Sequence, residues 1–142
     1  MDKVIKGIKN FALVFISLLV GGCLNMAIIM LSSKIIPPPH GVDVTTEAGL
    51  TAGMHLFEPK HFIMPFLAHA LGTLLSAIII VKIMPERKQF WAYFVAAMFF
   101  VGGFMEVLSL PSPLWFSLTD LIGAYFPMSF IALKLFYKSN EN

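Results

Sequence analysis

Four apolar runs, residues 11–36, 62–83, 90–110 and 114–136, take up most of a chain of 142 residues. Each reaches the roughly 20 residues that an α-helix needs to cross a hydrocarbon core of about 30 Å at about 1.5 Å per residue. The chain is 58% hydrophobic and 13% charged, whereas a soluble domain carries about 45–50% apolar and about 25% charged residues. A core cannot hide that excess, because a small domain leaves too much of its surface facing water. Lipid is therefore the expected solvent. The sequence predicts one all-α integral membrane domain over 1–142, an antiparallel bundle of four transmembrane helices with spans of about 11–36, 60–83, 90–110 and 113–136.

Lysines and arginines orient the bundle. With four spans, both termini and the 84–89 loop share one side. That side carries Lys3, Lys6, Lys9, Lys82, Arg87, Lys88, Lys134 and Lys138, and the other carries Lys34 and Lys60 beside Asp43, Glu47 and Glu58. The basic side faces the cytoplasm, so both termini are expected inside. Trp91 and Trp115, at opposite ends of their spans, suit an aromatic belt. Lys3, Lys6 and Lys9 ahead of Val20-Gly21-Gly22-Cys23 imitate a lipoprotein signal. The apolar run continues from Leu24 to Leu31, however, and a genuine first span is the better reading.

The connections differ in length. Residues 85–89 and 111–113 are tight turns, and Ser112 and Pro113 suit the start of a helix. The outer loop, 37–59, is long enough to carry function. Pro37-Pro38-Pro39 leaves the membrane as a stiff extended segment. Beyond Asp43-Val44-Thr45, the residues Leu50, Met54 and Phe57 recur at helical spacing, with Glu47, Thr51, His55 and Glu58 opposite them. An amphipathic helix over about 46–58, lying on the membrane or over the bundle mouth, is predicted. Glu58-Pro59 then restarts the chain into the second span.

Each span carries one row of small or polar residues at intervals of three or four: Ser17, Gly21, Asn25 and Ser32; His61, Pro65, Ala68, His69, Gly72 and Ser76; Ala92, Ala96, Gly103 and Glu106; Ser117, Asp120, Ala124 and Pro127. Helix packing accounts for the small ones. Asn25, His69, Glu106 and Asp120 ask for more. Counted from the outer ends of their runs, all four lie roughly 8–12 Å below the outer boundary, each on a different helix. An ionised carboxylate at that depth costs several kcal/mol unless it is paired, hydrated or protonated.

Several chemistries are excluded or weakened. The single cysteine, Cys23, forbids internal disulfides, CxxC redox pairs and multi-cysteine metal cages. Basic residues are too scattered to bind nucleic acid. Only His69 is well inside a span, against the two histidines that a b-type haem wants. Ser32, Ser117, His69 and Asp120 lack a nucleophile elbow. His55-x-x-Glu58-x-x-His61 is interrupted by Pro59 and lacks the HExxH spacing. His40 beside its prolines reads as solvated, and the outer methionines read as apolar filling rather than copper ligands.

The leading expectation is a small membrane protein that binds a small molecule, lipid or ion in the outer third of the bundle, with its transport left open. Asn25, His69, Glu106 and Asp120 form that ligand-binding or proton-titrating site, and His55, Glu58 and His61 form a lid. Transport in so small a bundle would need a homodimer or a partner within a larger membrane complex. Two alternatives stand beside it. One is a metalloenzyme acting on a lipid or amphiphile at the outer leaflet, with His69, Glu106 and Asp120 holding zinc, iron or manganese. The other is an accessory subunit whose polar layer fixes helix register.

Overall fold

A computed structural model describes residues 1–137; Lys138, counted above among the basic residues, lies outside them. The chain is all helical, with no strand among the described residues. Its helices are α1 (Asp2–Ile35), α2 (Glu47–Gly53), α3 (Ile63–Ile83), α4 (Lys88–Ser109), α5 (Leu114–Gly123) and α6 (Phe126–Phe136). Short 3-10 turns cover Met54–Leu56 and Pro59–Phe62. Four helical stretches are long and apolar enough to cross a membrane: Asp2–Ile35, Pro59–Ile83, Lys88–Ser109 and Leu114–Phe136.

The first of them begins at Asp2 rather than near residue 11. Lysine is a good helix former, and nothing in Lys3-Val4-Ile5-Lys6 breaks a helix. Apolar character marks the part suited to lipid, not the end of the helix. Its other end is set by Pro37, which drives Ile36 into an extended conformation (φ −126°, ψ 91°).

Helix α3 is the hub, with α1, α4 and α6 all packed against it. Half of its most apolar stretch is buried, against 17% for α1. Helix α1 leans on α3 and meets α4 sparsely. The α1–α3 contact is very close: a Cβ added to Gly21 would overlap the Ser76 hydroxyl and the Gly72 backbone carbonyl. Glycine at 21 lets the backbones touch, and Ser76 Oγ donates to Ser17 O across the seam at 2.6 Å. Such interhelical bonds are worth about 0.6 kcal/mol on average and at most about 2 in lipid. Farther from the 37–60 loop, Ile80 and Val81 of α3 and Met84 just beyond it join Val14, Ala92, Val95 and Ala132 in an apolar core.

The long loop is ordered by its own side chains. Asp43 accepts from the backbone N–H and hydroxyl of Thr45 and from the hydroxyl of Thr46. Thr46 Oγ1 accepts in turn from Gly49 N–H at 3.1 Å and caps α2. The helix expected over about 46–58 is shorter than that: α2 stops at Gly53 and tightens into the 3-10 turn Met54–Leu56. Pro59 holds Glu58 extended (φ −89°, ψ 161°). Gly53 also packs on Val42 with no room for a Cβ. Met54 is buried and Leu50 and Phe57 half-buried, while Glu47, Thr51, His55 and Glu58 are exposed.

These hydrogen bonds, led by that from the Thr45 hydroxyl, hold the Asp43 carboxyl below its ordinary value of 3.8. A depressed folded-state pKa stabilises the loop above the unfolded value and ceases to do so as pH falls through the folded one. Amide exchange at Thr45 and Gly49, corrected for intrinsic rates, should therefore stay slow near neutrality and quicken below 3.8. Asp43→Asn should flatten that step, since the amide still accepts but does not titrate. A step that persists in Asp43→Asn would assign it to another group.

Candidate functional site

Three of the polar residues singled out above meet. His69 on α3 lies between Asp120 on α5 and Glu106 on α4. Its Nδ1 is 2.9 Å from both Asp120 carboxylate oxygens, and its Nε2 is 3.2 Å from Glu106 Oε2. The His69 and Asp120 side chains are 9% and 3% exposed, whereas that of Glu106 is 47% exposed. Asp120 is thus the enclosed member of the triad and Glu106 the one that reaches out.

A fourth member was not anticipated. The Tyr125 hydroxyl donates to Asp120 Oδ2 at 2.8 Å and lies 3.2 Å from His69 Nδ1. Tyr125 reaches this position because the fourth span, expected over about 113–136, is interrupted. Pro127 has no N–H to give and its ring collides with the carbonyl four residues earlier. Helix α5 consequently ends at Gly123, Tyr125 takes a non-helical conformation (φ −119°, ψ −81°), and α6 begins at Phe126. Gly103 on α4 makes room, since a Cβ there would run into the Tyr125 hydroxyl. Pro127 within an apolar run, and a tyrosine beside it whose hydroxyl needs a partner once buried, are the signals that could have found this.

The hydrogen bonds constrain the charge. A neutral imidazole has one N–H and one lone pair, yet both ring nitrogens of His69 face carboxyl groups. With the fewest protons that satisfy both contacts, either an imidazolium stands between two carboxylates, or a neutral ring donates to one carboxylate and accepts from the other, protonated, acid. In that state the His69–Glu106–Asp120 triad carries one net negative charge, which one more proton or one cation neutralises.

The arrangement differs from a metal-ligand set. Glu106 and Asp120 engage opposite edges of the same ring, so the three side chains do not converge on one point. Among the described residues no group of three His, Cys, Asp or Glu is placed to hold a metal ion. The proposed lid also divides. His61 is buried, and its Nδ1 lies 2.9 Å from Glu58 N and 3.2 Å from Glu58 O. His55 is exposed. Glu58 is exposed as well and pairs with Lys60 at 3.0 Å, and this contact holds the Glu58 carboxyl below its usual range. Asn25 packs beside Gly72. Among the described residues no hydrogen bond joins it to His69, Glu106 or Asp120, although it lines a cavity with His69 and Glu106.

Glu106 borders three cavities. One of about 60 Å³ lies under the loop among Phe62, Phe116, His69 and Asp120. A second, of about 510 Å³, runs from Pro38 and Val44 down the α1–α4 seam. A third, of about 270 Å³, continues along that seam past Asn25 to Leu18 and Met98. Among the described residues no lysine or arginine lines any of them. Comparison of the chain with protein-family models, curated proteins and solved structures matches none of them.

Proposed function

We propose that the chain is a four-span integral membrane protein, an antiparallel bundle with both termini cytoplasmic, that binds a small cationic ligand at Glu106 in exchange for a proton. The observation that carries this reading is His69 held between two carboxyl groups, with Glu106 the exposed member of the three. Asp120, with the Tyr125 hydroxyl donating to its Oδ2, orients the ring and fixes which edge meets Glu106. Glu106 is the exchanging group, because charge at an enclosed carboxyl would have no route out. The topology is supported by the clustering of Lys3, Lys6, Lys9, Arg87 and Lys88 on one side of the predicted spans. A bound cation offsets the negative charge that this depth otherwise penalises. Transport would need Glu106 to face each side in turn, and binding with proton release is its first requirement.

Dicyclohexylcarbodiimide, which condenses with protonated carboxyls in apolar surroundings, tests the exchange. Peptide mass spectrometry of the protein in lipid nanodiscs should find the adduct on Glu106 and not on Asp120. Its yield should rise as pH falls, and Glu106→Gln should abolish it. Modification of Asp120 in place of Glu106, or an unreactive Glu106 at every pH, would refute the reading.

A further inference from the structure

The end of the bundle opposite the 37–60 loop holds a second polar cavity, remote from Glu106. Helix α1 has 34 residues and is about 50 Å long, well beyond a hydrocarbon core of about 30 Å. Lys3, Lys6 and Lys9 mark the end that projects, since ammonium groups stay out of hydrocarbon. The first turns of α1 thus stand in the headgroup layer of a bilayer that the four spans cross. There they pass beside the turn that follows α3, and Lys6 Nζ meets Glu86 Oε2 at 2.6 Å. Both residues line a cavity of about 520 Å³, within the range of about 300–1,000 Å³ usual for small-molecule sites.

Two features of the wall select a ligand. Lys6 and Lys9, one turn apart on α1, face the same cavity as Asp2 and Glu86. Two cations and two acids cancel in formal charge, so a zwitterion complements this wall better than a plain anion or cation does. Asn10 also lines the cavity, and its Oδ1 is buried without a hydrogen-bond donor among the described residues. A buried acceptor left unpaired is costly. The last torsion of asparagine is soft, so the amide can turn this oxygen toward an N–H that enters. Ile5, Leu13 and Ile83 complete an apolar side, and Ile5 and Ile83 are exposed there for acyl chains to cover.

We infer that this cavity binds a phospholipid with an ethanolamine headgroup, its phosphate on Lys6 and Lys9 and its primary ammonium on Glu86 and Asn10. A lysine ammonium has three donors and a carboxylate about four acceptor sites, so the Lys6–Glu86 pair persists while each member takes a ligand group. Choline carries the same charges but has no N–H to give, and a glycerol headgroup has no cation. The site is independent of Glu106 and rests only on the reading of the four helical stretches as membrane spans.

The test is native mass spectrometry of the protein from nanodiscs holding phosphatidylethanolamine, phosphatidylcholine and phosphatidylglycerol in equal amounts. The ethanolamine lipid should be retained about threefold or more over either competitor, the size of a solvent-screened charge contact. Lys9→Gln should weaken its binding about threefold and keep its preference over choline. Glu86→Gln and Asn10→Leu should lose that preference. Lys6→Gln breaks the same ion pair as Glu86→Gln, yet should keep the preference. If both lose it, the ion pair and not the lipid ammonium is responsible, and the assignment falls. Equal retention of the three lipids, or preference for phosphatidylglycerol, would overturn the ethanolamine head. Displacement by soluble phosphoethanolamine at the same concentration as the lipid would overturn the tail. Glu106 should react with dicyclohexylcarbodiimide equally in Lys9→Gln and the parent; a loss of that reaction would overturn the independence of the two sites. Carbonate extraction that releases the chain from membranes would remove the spans and this site together, whereas a retained chain without lipid preference removes the site alone.

Discussion

His69→Ala should destabilise the protein by about 3–5 kcal/mol, the range found when one partner of a buried ion pair is removed. The ring separates Asp120 from Glu106 and bonds to both. Without it, Asp120, at 2% exposure, keeps the Tyr125 hydroxyl as its one side-chain partner among the described residues. Glu106 is half-exposed and loses less. The asymmetry makes a second variant informative. Asp120→Asn keeps an acceptor for the Nδ1 proton and for the Tyr125 hydroxyl while removing a charge, so it should cost far less, about 1 kcal/mol. Reversible unfolding by dodecyl sulfate in mixed micelles, followed by the fluorescence of Trp91 and Trp115, measures both. Equal losses for the two variants would mean that the ring does not hold the carboxyl groups in the way described.

Gly21→Leu comes next in size. Its Cβ falls on the Gly72 carbonyl as well as on the Ser76 hydroxyl, and a backbone atom cannot rotate aside. Helix α1 must lift off α3, which sacrifices the Ser76–Ser17 bond. Overpacking costs about 1–3 kcal/mol, and the lost bond adds about 0.6 or more. The adjacent Gly22 is the internal control, since a Cβ there meets nothing within 4 Å. Gly22→Leu should stay within about 0.5 kcal/mol of the parent. If the same unfolding assay finds the neighbouring substitutions equivalent, the close approach of α1 to α3 is wrong.

The periodicity of apolar residues is enough to find the four long helices, because a run of that length has few other ways to satisfy its backbone. Counting from the ends of the runs also puts His69, Glu106 and Asp120 at one depth. That works for Glu106 and Asp120 because the 111–113 turn is too short to shift one against the other. Tyr125 is a different case. Its place depends on where Pro127 breaks the fourth span and which way the chain turns there, and neither follows from spacing. The relation of His69 to its two acids is equally invisible in the sequence. Spacing assigns side chains to a helix face, but it does not say that both edges of one ring are used. That detail is what the proposed charge exchange rests on. The loop helix is over-long in the expectation because periodicity continues through Phe57, although Gly53 and Pro59 end the helical backbone sooner.

The interruption at Ala124–Tyr125 also bears on how the chain enters a bilayer. Helix α5 has 10 residues and α6 has 11, so each is about 15–17 Å long, near half the thickness of a hydrocarbon core. Neither half crosses alone, and backbone carbonyls ahead of Pro127 lack helical donors. Asp120 needs His69, and the Ser129 hydroxyl donates to the Ala92 carbonyl at 2.8 Å. The partners in these contacts, His69 and Ala92, belong to segments that leave the ribosome earlier. The fourth span is therefore the one whose insertion depends on helices already in place, and its polar groups find their partners on arrival.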